Sequence, residues 1–143
     1  MWVAVQFTDK AVAQIRARAA GLCELCGRPE TEAMQAHHRR PRGMGGSKDP
    51  VTGSAANGLW LHYECHRIVE ENREHAISTG YLVWQHQDPT QVPVFLPNRP
   101  APVFLCLDGD LRSLPPKPTG QDVGATIVGE YPTQSLLDLL ATE

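Results

Sequence analysis

The sequence has no apolar run that approaches the roughly 20 residues needed to span a membrane. Its first ten residues, MWVAVQFTDK, lack the basic region and the long apolar core of a secretory signal. We therefore expect a cytoplasmic protein. In that compartment thiols stay reduced, so the four cysteines are not expected to form disulfides.

The chain also lacks a strong excess of charge of either sign. Its net charge is -3, with ten basic against nine acidic residues in 1–80 and three against seven in 81–143. Because the chain is not broadly basic, any contact with nucleic acid must come from a local patch. The candidate patch contains six residues, namely Arg39, Arg40, Arg42, Lys48, Arg67 and Arg73.

The chain length suits a single domain. A sequence of 143 residues, 41% of them hydrophobic, can form one moderate core, and its 12 glycines and 12 prolines indicate many turns. Residues 7–22 predict a helix with Thr8 as its N-cap and Gly21 as its stop. The segments that follow predict a short strand at 32–39, a glycine-rich loop at 41–56 and a helix at 63–80 that ends at Gly80.

The C-terminal part divides into two regions. Three short apolar runs, YLVWQHQ, VPVFLP and PVFLCLDGD, predict a strand appendage over residues 81–113 with a turn at LDGD. From residue 114 the composition changes to Pro, Gly and acidic residues, which predicts an extended or partner-binding tail over 114–143 that contributes little to the fold. QSLLDLLATE, at the end, predicts one or two amphipathic helical turns.

The cysteines form two metal-knuckle spacings. CELC places Cys23 and Cys26 three residues apart, and HYEC repeats that spacing with His62 and Cys65. A Cys3His set suits tetrahedral zinc, so we expect one structural zinc ion here. A lone CxxC can instead be a redox pair or two unrelated cysteines, but the second knuckle favours zinc. Cys106 lies in an apolar run and is expected to be a buried thiol.

A second group of residues surrounds the sequence QAHHRRPRGMGG. The run HHRRPRGMGG…NGLWLHYECHRIVEENRE resembles the HNH endonuclease motif, a ββα-metal or His-Me finger. It resembles in particular the small HNH proteins of actinobacteria and their phages. The resemblance covers roughly residues 15–85. It includes the paired knuckles, the histidine doublet and an asparagine nine residues before the last histidine.

The resemblance implies a role for each matching residue. His37 corresponds to the metal ligand that ends the first strand, and His38 to the general base. Asn57 corresponds to the residue that holds the loop and so aims the base, and His66 to the second metal ligand. Glu70 stands where many relatives carry a third, histidine ligand. It can be a ligand, since positions i and i+4 are neighbours on a helix, or a plain surface acid.

Two departures from the family pattern concern metal ligands. Glu70 stands in place of histidine, which leaves the preferred metal open among Mg, Mn, Ni and Zn. His62 stands where relatives often carry cysteine, and zinc accepts either ligand.

The residue types fit phosphodiester hydrolysis. A neutral histidine accepts a proton at cellular pH, because its ordinary pKa is about 6.5. A divalent ion held by His37, His66 and Glu70 leaves positions open for water and phosphate. The expected phosphate contacts are four, namely Arg39, Arg40, Arg42 and Lys48.

These features predict a single α+β domain over residues 1–113. It would have a zinc-stapled ββα-metal core at 15–85, an N-terminal helix and a short β appendage at 81–113. The expected function is a metal-dependent endonuclease or nickase that acts on double-stranded DNA with weak sequence specificity, in the host cytoplasm if the protein is phage-encoded. The resemblance implies 5′-phosphate and 3′-hydroxyl ends. The alternatives are a zinc-organised DNA- or protein-binding module without cleavage, and an accessory subunit of a phage DNA-packaging complex.

Overall fold

The computed structural model describes residues 7–41, 50–116 and 131–142. It is a mixed α+β structure, as the sequence predicts, with its helices and strands interspersed along the chain. None of the helices in these ranges is long and apolar enough to cross a membrane. In chain order the elements are α1 (Asp9–Ala19), β1 (Met34–His38), β2 (Gly58–His62), α2 (Tyr63–Glu71), α3 (Arg73–Thr79), β3 (Phe104–Leu105), β4 (Leu111–Arg112) and α4 (Leu136–Ala141), with short 3-10 turns at Pro50–Gly53, Ala55–Asn57 and Pro89–Gln91.

The first helix begins and ends close to where the sequence predicts. The Thr8 hydroxyl accepts a hydrogen bond from the backbone N–H of Ala11 at 3.0 Å, which satisfies one of the free donors of the first turn. The helix ends at Ala20, which adopts the left-handed conformation at φ 54°, and Gly21 follows with φ 81°. Ile15 is fully buried and anchors the helix on the core.

Strands β1 and β2 form an antiparallel hairpin that leads directly into α2. The register pairs Met34 with His62 at one end and His38 with Gly58 at the other. Gly58 is needed at that end, because a Cβ there would collide with the side chains of Ile15 and Phe7. The strand, strand, helix order brings the end of β1 and the first turns of α2 into one region of the molecule.

The segment predicted as one helix over 63–80 is two helices. Asn72 separates them with φ -127° and ψ 52°, and its side-chain amide donates to the carbonyl of Ile68 at 2.8 Å. An asparagine side chain that bonds to the backbone in this way competes with regular helix geometry. The prediction of the far end is confirmed: Gly80 caps α3 with φ 89°, and a Cβ there would collide with the carbonyl oxygen of Pro93.

The strand appendage is smaller than predicted. Strands β3 and β4, of two residues each, form a hairpin around the LDGD turn. A single β-bridge joins Val94 to Val103. The run YLVWQHQ is not a strand. Its first three residues are buried beneath the end of α3, where the N–H groups of Tyr81 and Leu82 donate to the Ala76 carbonyl. The run is therefore apolar because its first residues belong to the core. Over so short a length, a buried irregular segment has the same apolar pattern as a strand.

The hydrophobic core lies between the hairpin, α1, α2 and the segment that follows α3. Its fully buried side chains include Ile15, Leu25, Leu59, Leu61, Val69, Tyr81, Leu105 and Leu136.

The last helix differs from the tail prediction for residues 114–143. The Ser135 hydroxyl caps α4 by accepting from the N–H of Asp138 at 3.3 Å. Leu136 is fully buried within the core, and Leu137 and Leu140 pack against it. Helix α4 is therefore part of the fold rather than a separate arm, because it contributes apolar surface to the core. Residues 117–130 lie outside the described residues.

Replacing Leu136 with alanine should lower the free energy of unfolding by about 2–5 kcal/mol, because a buried leucine is truncated within the core. Leu139 lies on the same helix and is not among the side chains packed on the core. The matched variant Leu139→Ala should therefore cost less than about 1 kcal/mol. Urea denaturation in zinc-containing buffer measures both. Wild-type stability of the Leu136→Ala protein would show that α4 does not support the core.

Candidate metal centres and catalytic residues

Four zinc-type ligands converge at the base of the hairpin. Cys23 and Cys26 lie in the turn after α1, His62 ends β2, and Cys65 lies in the first turn of α2. Their ligand atoms all lie within 4.8 Å of one another. His62 Nδ1 is 3.4 Å from Cys26 Sγ and 3.9 Å from Cys65 Sγ. In a tetrahedral site with Zn–S bonds of about 2.3 Å, neighbouring sulfurs are about 3.8 Å apart. The set is therefore positioned to bind a metal ion and is consistent with structural zinc.

The hydrogen bonds around this cluster favour the metal-binding forms of two of its ligands, His62 and Cys23. His62 Nε2 donates to the Pro29 carbonyl at 3.1 Å, which leaves the Nδ1 lone pair directed at the thiols. The pKa of Cys23 is lowered to about 4, first because the Cys65 side chain donates a hydrogen bond to it. The pKa of Cys65 is raised in turn, because it is the donor of that bond. A thiolate is the form of cysteine that binds zinc.

A second cluster joins the end of β1 to α2. His37 Nδ1 lies 2.9 Å from His66 Nδ1, and the nearest ligand atoms of His37, His66 and Glu70 all lie within 4.8 Å of one another. Two imidazole nitrogens at about 2.1 Å from a metal and 90° apart are about 3.0 Å apart, so the histidine pair fits a bound divalent ion. The Glu70 side chain is 40% exposed, and its carboxylate accepts from Arg73 Nη1 at 2.7 Å. The donor set, two imidazoles and one carboxylate, is one that divalent metals accept.

His37 is held as a neutral ring. Its Nε2 donates to the Tyr81 carbonyl at 3.0 Å, so the other nitrogen, Nδ1, carries a lone pair. Burial lowers the pKa of His37 to about 3, since a charged imidazolium is costly away from water. The side chain that the resemblance assigns to a metal therefore presents an unprotonated Nδ1 toward His66 at neutral pH, within hydrogen-bonding distance of His66 Nδ1.

His38 and Asn57 occupy neighbouring places at the end of the hairpin. Successive side chains of a strand point to opposite faces, and His38 accordingly stacks on Phe7 with ring centroids 4.0 Å apart, while His37 contacts His66. Asn57 Oδ1 accepts from the N–H of Arg40 at 2.7 Å, and its Nδ2 donates to the Arg40 carbonyl at 3.1 Å. The buried Asn57 amide therefore clamps the backbone two residues after His38.

The arginines that follow His38 are placed differently from the prediction. Arg39 is fully buried, and its guanidinium donates to four backbone carbonyls at 2.7–3.0 Å, those of Ala56, Gly80, Pro89 and Val92. Burial lowers the pKa of Arg39 to about 9, which still leaves it charged at neutral pH. Arg40 is also buried and donates to the Gln87 carbonyl and the Thr52 hydroxyl. With their donors directed inward, neither side chain serves as the phosphate contact that the basic run suggested. Arg42 and Lys48 lie outside the described residues.

Several residues that make buried contacts around the candidate sites are predicted by no motif in the sequence. Arg18 and Glu24 form a buried bidentate ion pair at 2.8 and 2.9 Å, and Glu24 also accepts from the backbone N–H of Trp60. Glu24 is one of the two residues between the cysteines of the first knuckle. Phe7 contacts His38, and Tyr81 contacts His37. Each of these contacts also joins residues that are distant in sequence. Cys106, by contrast, is buried as predicted, and burial raises its pKa.

We compared the chain with protein-family models, with curated proteins and with solved structures, and none of the three comparisons found a match.

Removal of one zinc ligand should release the metal and destabilise the protein. Cys26→Ala should lose the roughly one zinc ion per chain expected for a Cys3His site and should melt at a lower temperature, because metal binding contributes to folding. His62→Cys should retain zinc, since a thiolate replaces the imidazole. Cys106→Ala is the matched control, a buried free cysteine outside the cluster. Elemental analysis and thermal melting measure these effects. A Cys26→Ala protein with full zinc content would contradict the assignment.

Replacement of Arg39 should act on stability. Arg39→Met keeps the apolar stem but removes the guanidinium donors of four carbonyls, of which only that of Pro89 has another donor among the described residues, the N–H of Val92. Each buried unpaired acceptor costs about 1–3 kcal/mol, so we expect a loss of about 3 kcal/mol or more. Arg39→Lys should also destabilise, because an ammonium lacks the planar fork of donors. Arg67→Met, at a side chain that is 71% exposed, should change stability by less than about 0.5 kcal/mol. If Arg39→Met keeps wild-type stability under urea, the structural role is wrong.

Proposed function

We propose that this protein is a metal-dependent DNA endonuclease or nickase of the HNH type, with a ββα-metal core. One observation carries the proposal: the three side chains that can hold a divalent ion, His37, His66 and Glu70, lie together at the end of the strand that also carries His38. The β1, β2, α2 order and the zinc-type cluster beside it support the same function. They are the features that the resemblance implies for such a core.

In the proposed reaction, His38 is the general base. It takes a proton from the water that attacks phosphorus, which a neutral histidine can do near neutral pH. Asn57 contributes indirectly: its two bonds to the Arg40 backbone limit where the chain leaves β1, and so limit the positions available to the His38 ring. A divalent ion, when bound, stabilises negative charge on the phosphate and on the leaving 3′ oxygen.

His37 and His66 are proposed to hold that ion. The bond from His37 Nε2 to the Tyr81 carbonyl orients the ring and selects Nδ1 as the ligand atom. Burial keeps the ring neutral over the whole physiological range, because it lowers the pKa to about 3. Glu70 is one turn further along α2 and can add a carboxylate by exchanging its ion pair with Arg73. Such an exposed pair is weak, so the exchange costs little.

Arg39 and Arg40 are buried, so in this proposal other basic residues contact the phosphates. We propose that Arg42 and Lys48 supply them together with the exposed arginines of the helices. Arg67 and Arg73 have side chains that are 71% and 53% exposed, and both lie close in sequence to a proposed metal ligand. Their surface partners, Glu71 and Glu70, give weak pairs that a phosphate can displace.

Incubation with supercoiled plasmid tests the proposed activity. Purified protein with Mg, Mn, Ni or Zn should give relaxed or linear product, and EDTA should prevent it. Metal-independent retardation of the plasmid without any cleavage would favour a zinc-organised binding module instead. No interaction at all would favour a structural role within a larger complex.

His38→Ala should abolish cleavage while it preserves zinc content and DNA affinity. The base contributes mainly during proton transfer, which is worth roughly 10² to 10⁴ in rate. His37→Ala or His66→Ala should lose activity together with the second metal ion. His75→Ala is the control, since His75 belongs to neither cluster. Nicking rate and affinity are to be measured on the same preparations. A His38→Ala protein that nicks at a near wild-type rate would require another residue to be the base.

A further inference from the structure

One exposed aromatic residue, Trp84, belongs to a turn that is hydrogen-bonded to the chain leaving His38, and it has no role in the mechanism above. Trp84 is 53% exposed, although tryptophan is among the largest apolar side chains. A single exposed apolar residue is ordinary in itself. Trp84 differs from an ordinary one in the way that its backbone is held.

Hydrogen bonds attach the turn containing Trp84 to the chain that leaves His38. The N–H of Val83 donates to the Arg39 carbonyl at 2.9 Å, so the residue before Trp84 lies against the residue after the proposed base. On the far side of the turn, Arg40 Nη1 donates to the Gln87 carbonyl at 2.8 Å. Gln85 Nε2 donates to the Pro41 carbonyl at 2.7 Å. Three successive residues after His38 therefore each hold one part of this turn.

The turn is also closed internally. The N–H of Gln87 donates to the Trp84 carbonyl at 3.0 Å, and the N–H of Trp84 donates to Gln87 Oε1 at 3.1 Å. The turn that carries Trp84 is thus held by five hydrogen bonds, three of them to residues 39–41, which directly follow the proposed base.

The sequence around Trp84 suits a polyanion. Residues 81–87 include no acidic side chain, and Gln85 and His86 beside Trp84 are polar and exposed. The next acid along the chain, Asp88, accepts from the N–H and the hydroxyl of Thr90 and so is engaged within its own turn. Just beyond Pro41, the sequence continues into the basic, glycine-rich run that begins at Arg42.

We infer that Trp84 stacks on an unpaired nucleobase of the DNA substrate, next to the phosphate that is cut. This inference rests on the proposed function and specifies its substrate as DNA with a locally unpaired or displaced base. Every nucleobase has a π face that an aromatic side chain can cover, but in an intact duplex both faces are already stacked on neighbouring bases. An indole on a rigid turn therefore favours a base that has left the stack. It gives affinity without strong sequence preference.

The test compares DNA forms rather than DNA sequences. Binding is measured by fluorescence anisotropy on a labelled duplex, on the same duplex with a three-nucleotide bulge, and on the single strand. The protein carries His38→Ala to prevent cleavage, and zinc is present throughout. Trp84→Ala should bind the bulged and single-stranded DNA about 10-fold more weakly, and the intact duplex less than about twofold more weakly. Trp84→Phe should recover most of the loss, because it restores a ring.

Tyr63→Ala is the matched control. Tyr63 has the same 53% exposure, but it lies at the opposite end of the β1–β2 hairpin from His38. Unchanged affinity in Trp84→Ala, an equal loss on all three DNA forms, or the same loss in Tyr63→Ala would each overturn the inference. Melting temperature and zinc content of every variant establish that the fold is intact.

Cleavage by the protein with His38 separates this inference from the proposed function. Metal-dependent nicking that Trp84→Ala leaves unchanged on bulged DNA would overturn the role of Trp84 and leave the nuclease standing. Selective loss of affinity for unpaired bases, in a protein that never cleaves, would support the stacking role and overturn the nuclease.

Discussion

The Arg39 guanidinium, surrounded by four backbone carbonyls, is the interaction on which the candidate active site depends. Its acceptors are Ala56, Gly80, Pro89 and Val92, which belong to three segments of the chain. A charge without water is stable only when its donors are satisfied, and here the backbone itself takes the place of solvent. The arginine therefore holds together the loop before β2, the end of α3 and the turn that follows.

Three groups of the proposed site are sequence neighbours of this arginine or of one of its acceptors. His38 precedes Arg39, Asn57 follows Ala56, and Tyr81, whose carbonyl orients His37, follows Gly80. Arg39 thereby couples the positions of three groups. They are the proposed base His38, the loop-holding Asn57, and Tyr81, whose carbonyl orients His37. A basic residue that the sequence predicted to contact phosphate instead joins backbone segments around the candidate site.

A second constraint acts at the other end of the hairpin. The Cys3His cluster joins the turn after α1 to the end of β2 and the start of α2, and the buried pair of Arg18 and Glu24 lies beside it. Glu24 is bonded to the backbone of Trp60 through both its N–H and its carboxylate. The hairpin is consequently fixed at both ends, by a metal-type cluster at one and by the Arg39 cage at the other. The arrangement suits a small protein with a modest hydrophobic core.

Local features of the chain were predictable because they depend on neighbours in sequence. The Thr8 cap, the strand that ends in the histidine doublet and the glycine that ends α3 all follow from backbone preferences over a few residues. The break at Asn72 and the buried course of Tyr81 to Val83 were not predictable. Periodicity over seven or so residues does not distinguish a half-buried strand from an irregular segment that passes through the core.

The same distinction applies to the candidate sites. The spacing of Cys23 with Cys26, and of His62 with Cys65, identifies candidate metal ligands because one chelating turn determines both members of a pair. Arg39 and Arg40 look like an exposed basic run in sequence, and only the packing of distant carbonyls around them makes them internal. Ligand type and spacing are local chemistry. Which donors face water and which face the protein is decided by segments that lie 12 to 53 residues further along the chain.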